Sequence, residues 1–110
     1  FLGEVAMTAV LVFTIYAVTD QSNESAPGAG IGAIAIGVSV TLCGMACGPL
    51  TGFAMNPARD FGPRLFITIC GWGKYAWGAG GYGLIVPIFA TILGGILAGG
   101  IYTKIIQKMR

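Results

Sequence analysis

Apolar positions dominate the chain in three long stretches, Phe1 to Val18, Ile31 to Cys47 and Leu84 to Ile106. Each is near the roughly 20 residues that a helix needs to cross a bilayer core. They have almost no polar face, unlike the striped helices that cover a soluble core. The pattern predicts transmembrane helices over about 1–18, 31–47 and 84–106. Between the first two lies a polar loop, Thr19 to Gly30, which holds Asp20, Asn23, Glu24 and Pro27. It ends one helix and begins the next.

The second stretch then meets Gly48 and Pro49, and helical periodicity is lost through Leu50 to Met55. Helix restarts at Asn56-Pro57. Asparagine is a favoured N-cap, and proline at the first helical position loses no hydrogen bond, because its N–H would be unpaired there. Apolar residues recur at Phe61, Leu65, Phe66 and Ile69 until Gly71. A helix from Pro57 to about Cys70 is roughly 20 Å long, too short to span. The segment of about 48–70 is therefore expected to enter the membrane and turn back as a re-entrant loop and half-helix. Irregular backbone at membrane depth is tolerated only where protein buries it or it borders an aqueous cavity, so Leu50 to Met55 is a pore-lining candidate. The stretch from Gly71 to Gly83 carries Trp72, Tyr75, Trp77 and Tyr82 among glycines, the composition of an interfacial aromatic belt. The expected fold is an all-α membrane protein of three transmembrane helices plus one re-entrant half-helix.

Composition agrees: of 110 residues, 55% are hydrophobic and 9% charged, against roughly 25% charged in a soluble domain. A net charge of +2 without a basic stripe argues against nucleic acid. With no His and four carboxylates, neither a zinc site nor an acid–base enzyme is indicated, and no cofactor is implied. Cys43 and Cys47 lie at helical spacing and Cys70 stands alone, which suits buried packing cysteines better than disulfides or metal ligands. The first stretch lacks a basic n-region and carries Glu4, so it is a poor secretory signal. An opening on Phe1 rather than Met suggests a fragment. Lys104, Lys108 and Arg110 favour a cytoplasmic C-terminus, although the Thr19–Gly30 loop on the same side adds only acids. Gly44 and Gly48, and Gly95 and Gly99, have the four-residue spacing that permits close helix contact.

A half-helix starting inside the membrane brings unpaired N–H groups and partial positive charge to a cavity, which suits neutral or anionic solutes. Asn56 can cap it through its side-chain oxygen while its amide hydrogens face the cavity as donors. A water meeting those donors must offer its oxygen, and so cannot relay a proton at that point. Arg59, three residues on, shares the face and adds five donors and a full charge, an electrostatic barrier to cations and hydronium. Its bland alternative is an arginine anchored at lipid headgroups. Asp60 and Arg64 stand at i and i+4 as a helical ion pair. Glu4 has two readings: it sits at a membrane surface, or it is buried and accepts hydrogen bonds from the Leu50–Met55 backbone.

The run from Gly48 to Arg64, Gly-Pro-Leu-Thr-Gly-Phe-Ala-Met-Asn-Pro-Ala-Arg-Asp-Phe-Gly-Pro-Arg, resembles the second NPA box of the major intrinsic proteins. It most resembles their aquaglyceroporin branch, with its bacterial glycerol facilitators. The resemblance covers nearly the whole chain, 1–110, as the C-terminal half of such a channel. It implies an NPA motif at Asn56, Pro57 and Ala58, and a selectivity filter of Gly44, Phe53 and Arg59. Backbone carbonyls of Gly52, Phe53 and Ala54 are implied to line the path. Asp60, Arg64 and Pro87 match positions typical of glycerol channels, whereas Ile88 replaces the leucine common there. The absence of His also fits, since many water-selective members carry one where Gly44 stands. Gly44 leaves room for the Phe53 ring, and glycerol can set its carbon edge on that ring and its hydroxyls on Arg59 and the carbonyls. An apolar wall discriminates only modestly among small polyols and urea.

The resemblance also implies a missing N-terminal half with the first NPA box, because such pores combine two inverted halves. It implies a homotetramer in the cell membrane, passing glycerol and water and excluding ions and protons. A water-selective aquaporin and a non-conducting scaffold are the alternatives; the scaffold leaves Asn56 and Arg59 unexplained. An ion-coupled transporter needs intramembrane carboxylates, and only Glu4 and Asp60 are available.

Overall fold

The structure is a computed structural model that describes residues 1–28 and 30–109; Arg110, the last residue of the basic tail, lies outside the described residues. The helices are α1 (Leu2–Thr19), α2 (Ile31–Thr51), α3 (Pro57–Ile67), α4 (Gly73–Ala76), α5 (Tyr82–Ile85) and α6 (Thr91–Ile101). Three helical runs are long and apolar enough to cross a membrane: α1, α2 and Ala79–Met109, which contains α5 and α6.

Helix α1 runs antiparallel to α2 and parallel to α6. Gly3 meets Thr51, the Cys43 thiol lies 3.9 Å from the Met7 carbonyl, and the Thr14 and Ser39 hydroxyls are 3.2 Å apart. Along α6, Gly94 lies on Val5 and Thr8, and Gly99 on Tyr16. A Cβ at Gly94 would collide with the Val5 carbonyl and sit 3.0 Å from Thr8 Cβ, so α1 and α6 touch backbone to backbone. The tight contact thus falls on Gly94 rather than on Gly95, whose Cβ would be 3.9 Å from Val12. Gly44 and Gly48 do not serve helix contact either; both face Phe53.

Helix α2 runs on through Gly48 and Pro49 to Thr51, past the expected end near 47. Pro49 lies in the last turn, where its missing N–H costs a single intrahelical bond, to the Met45 carbonyl. Gly52, at φ 83°, ends the helix by donating its N–H to the Gly48 carbonyl at 2.9 Å. The irregular backbone is accordingly shorter than Leu50 to Met55, covering Gly52 to Met55. The last run is likewise not uniform. Pro87 cannot donate to the turn before it, and the helix widens into a π-turn over Val86–Ala90. The Thr91 hydroxyl reaches back to the Pro87 and Ile88 carbonyls.

The Thr19–Gly30 loop is tied across the molecule. Asp20 accepts from the Ser22 amide and hydroxyl at 2.9 and 2.6 Å, and from the Tyr102 hydroxyl at 2.9 Å and Gln107 at 3.3 Å. Buried Tyr102 stacks on Tyr16 and meets Phe13 edge-on, each with ring centroids 5.4 Å apart. The Ser22 hydroxyl and amide, and then Tyr102, hold the Asp20 carboxyl well below the usual carboxylate range.

Candidate functional site

The site forms where Gly52 to Met55 crosses between α2 and α3. Phe53 and Met55 are non-glycine residues in the left-handed region, at φ 58° and 53°, a conformation that must be held by its surroundings. Glu4 holds it. Its carboxylate is fully buried and accepts from the Ala54 N–H at 2.9 Å and the Met55 N–H at 2.8 Å. Of the two readings of Glu4, the structure has the buried one. The Phe53 N–H donates to the Thr51 hydroxyl at 3.2 Å, and the Thr8 hydroxyl lies 3.5 Å from the Met55 carbonyl. Below the break, Met7, Cys43 and Met55 form a small apolar core on which Leu11, Cys47 and Phe53 pack.

Helix α3 starts at this break. Asn56 is extended, and its side-chain oxygen accepts from the Ala58 and Arg59 amides at 2.9 and 3.1 Å, with Pro57 in the first turn. The Asn56 NH2 group is left to donate at the cleft that Asn56 lines. That cleft, of about 170 Å³, is bordered by Leu11, Val40, Phe53, Ala54, Met55, Asn56 and Arg59.

Gly44, Phe53 and Arg59 come together here. A Cβ on Gly44 would stand 2.9 Å from the Phe53 ring, so the ring occupies the space that a larger residue would need. The Arg59 guanidinium lies 5.5 Å from the ring centroid and donates to the Phe53 carbonyl at 2.8 Å. The Ala54 carbonyl accepts from the Asn56 N–H at 2.6 Å. Both carbonyls keep a second lone pair. Arg59 remains exposed toward the cleft.

Asp60 and Arg64 pair on α3 as spaced, and they do more than the spacing indicates. Asp60 is nearly buried, lies 3.9 Å from Arg59, and accepts from two nitrogens of Arg64. Arg64 also donates to the Ala76 carbonyl, pinning α3 to α4. Gly83 lets it approach closely, since a Cβ there would be 2.7 Å from the guanidinium and 3.0 Å from the Trp77 carbonyl. The aromatic stretch divides. Trp72 and Tyr75 are exposed, whereas Trp77 packs on Phe61 at 5.7 Å and Tyr82 turns inward to donate to the Thr51 carbonyl. Sequence reasoning names Thr51 only within the Leu50 to Met55 candidate and places Tyr82 only in the aromatic belt; the contact between them appears only in the tertiary structure. Cys43 is buried and Cys47 partly so, but Cys70 is exposed, because it follows α3 on a turn that faces outward.

A model of the major intrinsic protein family matches residues 1–102. The chain belongs to that family. Among curated relatives, the glycerol uptake facilitator protein of Pseudomonas aeruginosa is 47% identical over 98% of this chain and 39% of its own length. The propanediol uptake facilitator of Citrobacter freundii is 46% identical over 97% and 40%. The Escherichia coli K12 glycerol uptake facilitator is 42% identical over 98% and 39%. The chain thus spans about two fifths of the length of the curated relatives it matches.

Proposed function

We propose that this major intrinsic protein chain is one half of a passive channel for small neutral solutes, glycerol first, with water and urea also passing. The observation that carries the proposal is the cleft at the start of α3, where Asn56, Arg59 and the Phe53 ring converge. One wall is apolar and the other is made of donors and backbone carbonyls, which matches a molecule with a carbon edge and a row of hydroxyls. The names of the relatives, facilitators of glycerol and propanediol uptake, support that solute class.

In this reading Gly44, Phe53 and Arg59 form the selectivity filter, and Asn56, Pro57 and Ala58 the NPA motif. The carbonyls of Gly52, Phe53 and Ala54 line the path, while Glu4, Asp60 and Arg64 support it. The positive end of α3 and the Arg59 charge exclude cations and protons. A second half with the first NPA box completes the pore, in a homotetramer of the cell membrane with a cytoplasmic C-terminus. The protein carries out no catalysis and needs no cofactor or metal. The test is stopped-flow swelling of liposomes containing the full-length protein in glycerol and urea gradients, with and without sodium or proton gradients. Glycerol flux independent of ion gradients is expected. Water passage with glycerol excluded, or flux that follows an ion gradient, would refute the reading.

A further inference from the structure

Tyr82 opens the last membrane helix, at the edge of the glycine-rich aromatic stretch, yet its hydroxyl points to the end of α2. There it donates to the Thr51 carbonyl, one of the acceptors that a helix end leaves without an intrahelical donor. Thr51 is held from two further directions. Its methyl group lies against Gly3 of α1, where a Cβ would come within 2.6 Å, and its hydroxyl donates to the Cys47 carbonyl at 3.3 Å. The same hydroxyl accepts from the Phe53 N–H at 3.2 Å, and the Phe53 carbonyl accepts from Arg59 at 2.8 Å. The chain of hydrogen bonds thus runs from Tyr82 through Thr51 and Phe53 to Arg59, with the left-handed Phe53 in its middle. Glu4 holds the far side of the break, at Ala54 and Met55, and contributes nothing to Phe53 N–H.

We propose that Tyr82 is a positioning residue for solute selection: it sets where the Phe53 ring stands relative to Gly44 and Arg59, and so how wide a solute the filter admits. The proposal rests on the filter reading given above. Gly44 already allows the ring its closest approach, so any freedom gained by Phe53 can only swing it away from the Gly44 wall or along the cleft. Loss of the Tyr82 hydroxyl leaves the Thr51 carbonyl without its donor and frees residues 51 to 53 to move together. The filter then loses its sharpness for size before it loses its ability to conduct.

The test uses the full-length protein in liposomes, with Tyr82→Phe, Thr51→Val and Thr51→Ser. Two readouts are taken on each: the ratio of glycerol to erythritol permeability, and amide exchange of a peptide covering residues 50–56. Tyr82→Phe is expected to lower the ratio about five-fold, the equivalent of one neutral hydrogen bond, and to speed exchange in that peptide. Thr51→Val, which keeps the shape but removes the acceptor for Phe53, should do the same, and Thr51→Ser should leave both readouts near wild type. The double variant Tyr82→Phe/Thr51→Val should be no worse than either single one, because both cut one chain of bonds. Faster exchange with an unchanged ratio would make Tyr82 a structural latch and overturn the proposal. Unchanged exchange in Tyr82→Phe would overturn it as well. If the wild type excludes glycerol, the channel reading fails and this selection role with it, whereas a conducting wild type with an insensitive ratio removes only the role of Tyr82.

Discussion

Replacing Glu4 with Gln changes one atom's hydrogen-bonding sense at the centre of the break. The carboxylate accepts from two buried amides, at 2.9 and 2.8 Å, and a glutamine keeps an acceptor for only one of them. The other N–H then faces an NH2 group, an orphaned buried donor worth about 1–3 kcal/mol. The surviving bond also loses its charge assistance, about 1 kcal/mol. The sum, roughly 2–4 kcal/mol, is comparable with the cost of holding two non-glycine residues left-handed, about 1–2 kcal/mol each. The balance between the formed and the unravelled break should therefore move about 30-fold or more, the lower figure being 2 kcal/mol. Global stability is the wrong readout, since glutamine also relieves the cost of burying a charge. The assay is glycerol flux per folded channel, with amide exchange at residues 54 and 55 measured alongside. Flux should fall at least about ten-fold, and exchange should quicken by a similar factor or more. Flux and exchange both within about two-fold of wild type would mean that the break is held without Glu4.

Three further outcomes are expected. Gly44→His places a ring where even a Cβ stands 2.9 Å from Phe53, so glycerol flux should fall more than water flux in swelling assays; an equal fall in well-folded protein would mean that Gly44 is off the pathway. Arg59→Val keeps or widens the cleft but removes a charge worth roughly 3 kcal/mol at 5 Å and an effective dielectric of 20. Proton or cation leak should rise by up to about a hundredfold, less what the α3 terminus and Asn56 still exclude. Leak and glycerol flux both unchanged would make Arg59 structural. The Asp20 clasp should be insensitive to mild acid: a carboxyl held below its ordinary value of about 3.9 contributes stability above that value and loses it only as pH falls through the depressed one. The melting difference between wild type and Asp20→Asn should be the same at pH 7 and pH 5, and its disappearance by pH 5 would refute the assignment.

The parts of the fold that depend on local chemistry are legible in the residues themselves. Long apolar runs mark α1, α2 and the last helix, and Asn56-Pro57 marks the start of α3, because capping is decided within four residues. The break is harder to place. Pro49 reads as a helix stop, yet in a final turn it removes only one bond, and it is Gly52 that ends α2. Left-handed Phe53 and Met55 leave no trace in residue type: Thr51 takes the Phe53 amide, but Glu4, which holds Ala54 and Met55, lies about fifty residues away in sequence. The four-residue glycine pattern is ambiguous for the same reason: spacing puts glycines on a face without saying whether a helix or the Phe53 ring will meet it. Aromatic composition suggests an interfacial belt, and only contacts separate outward Trp72 and Tyr75 from inward Trp77 and Tyr82.

The bonds from Glu4 to Ala54 and Met55 have a consequence for biogenesis. They join residues 50 and 51 positions apart, and at about 5–20 residues per second a ribosome makes that interval in several seconds. During that time α1 has been synthesised, while the amides that its carboxylate will bind do not yet exist. A carboxylate without a partner is costly in hydrocarbon. The nascent α1 must therefore wait at the membrane surface or shelter against the insertion machinery until residues 54 and 55 arrive. Helix α1 is thus expected to complete its integration late, once the break after α2 supplies the two amides that its carboxylate binds.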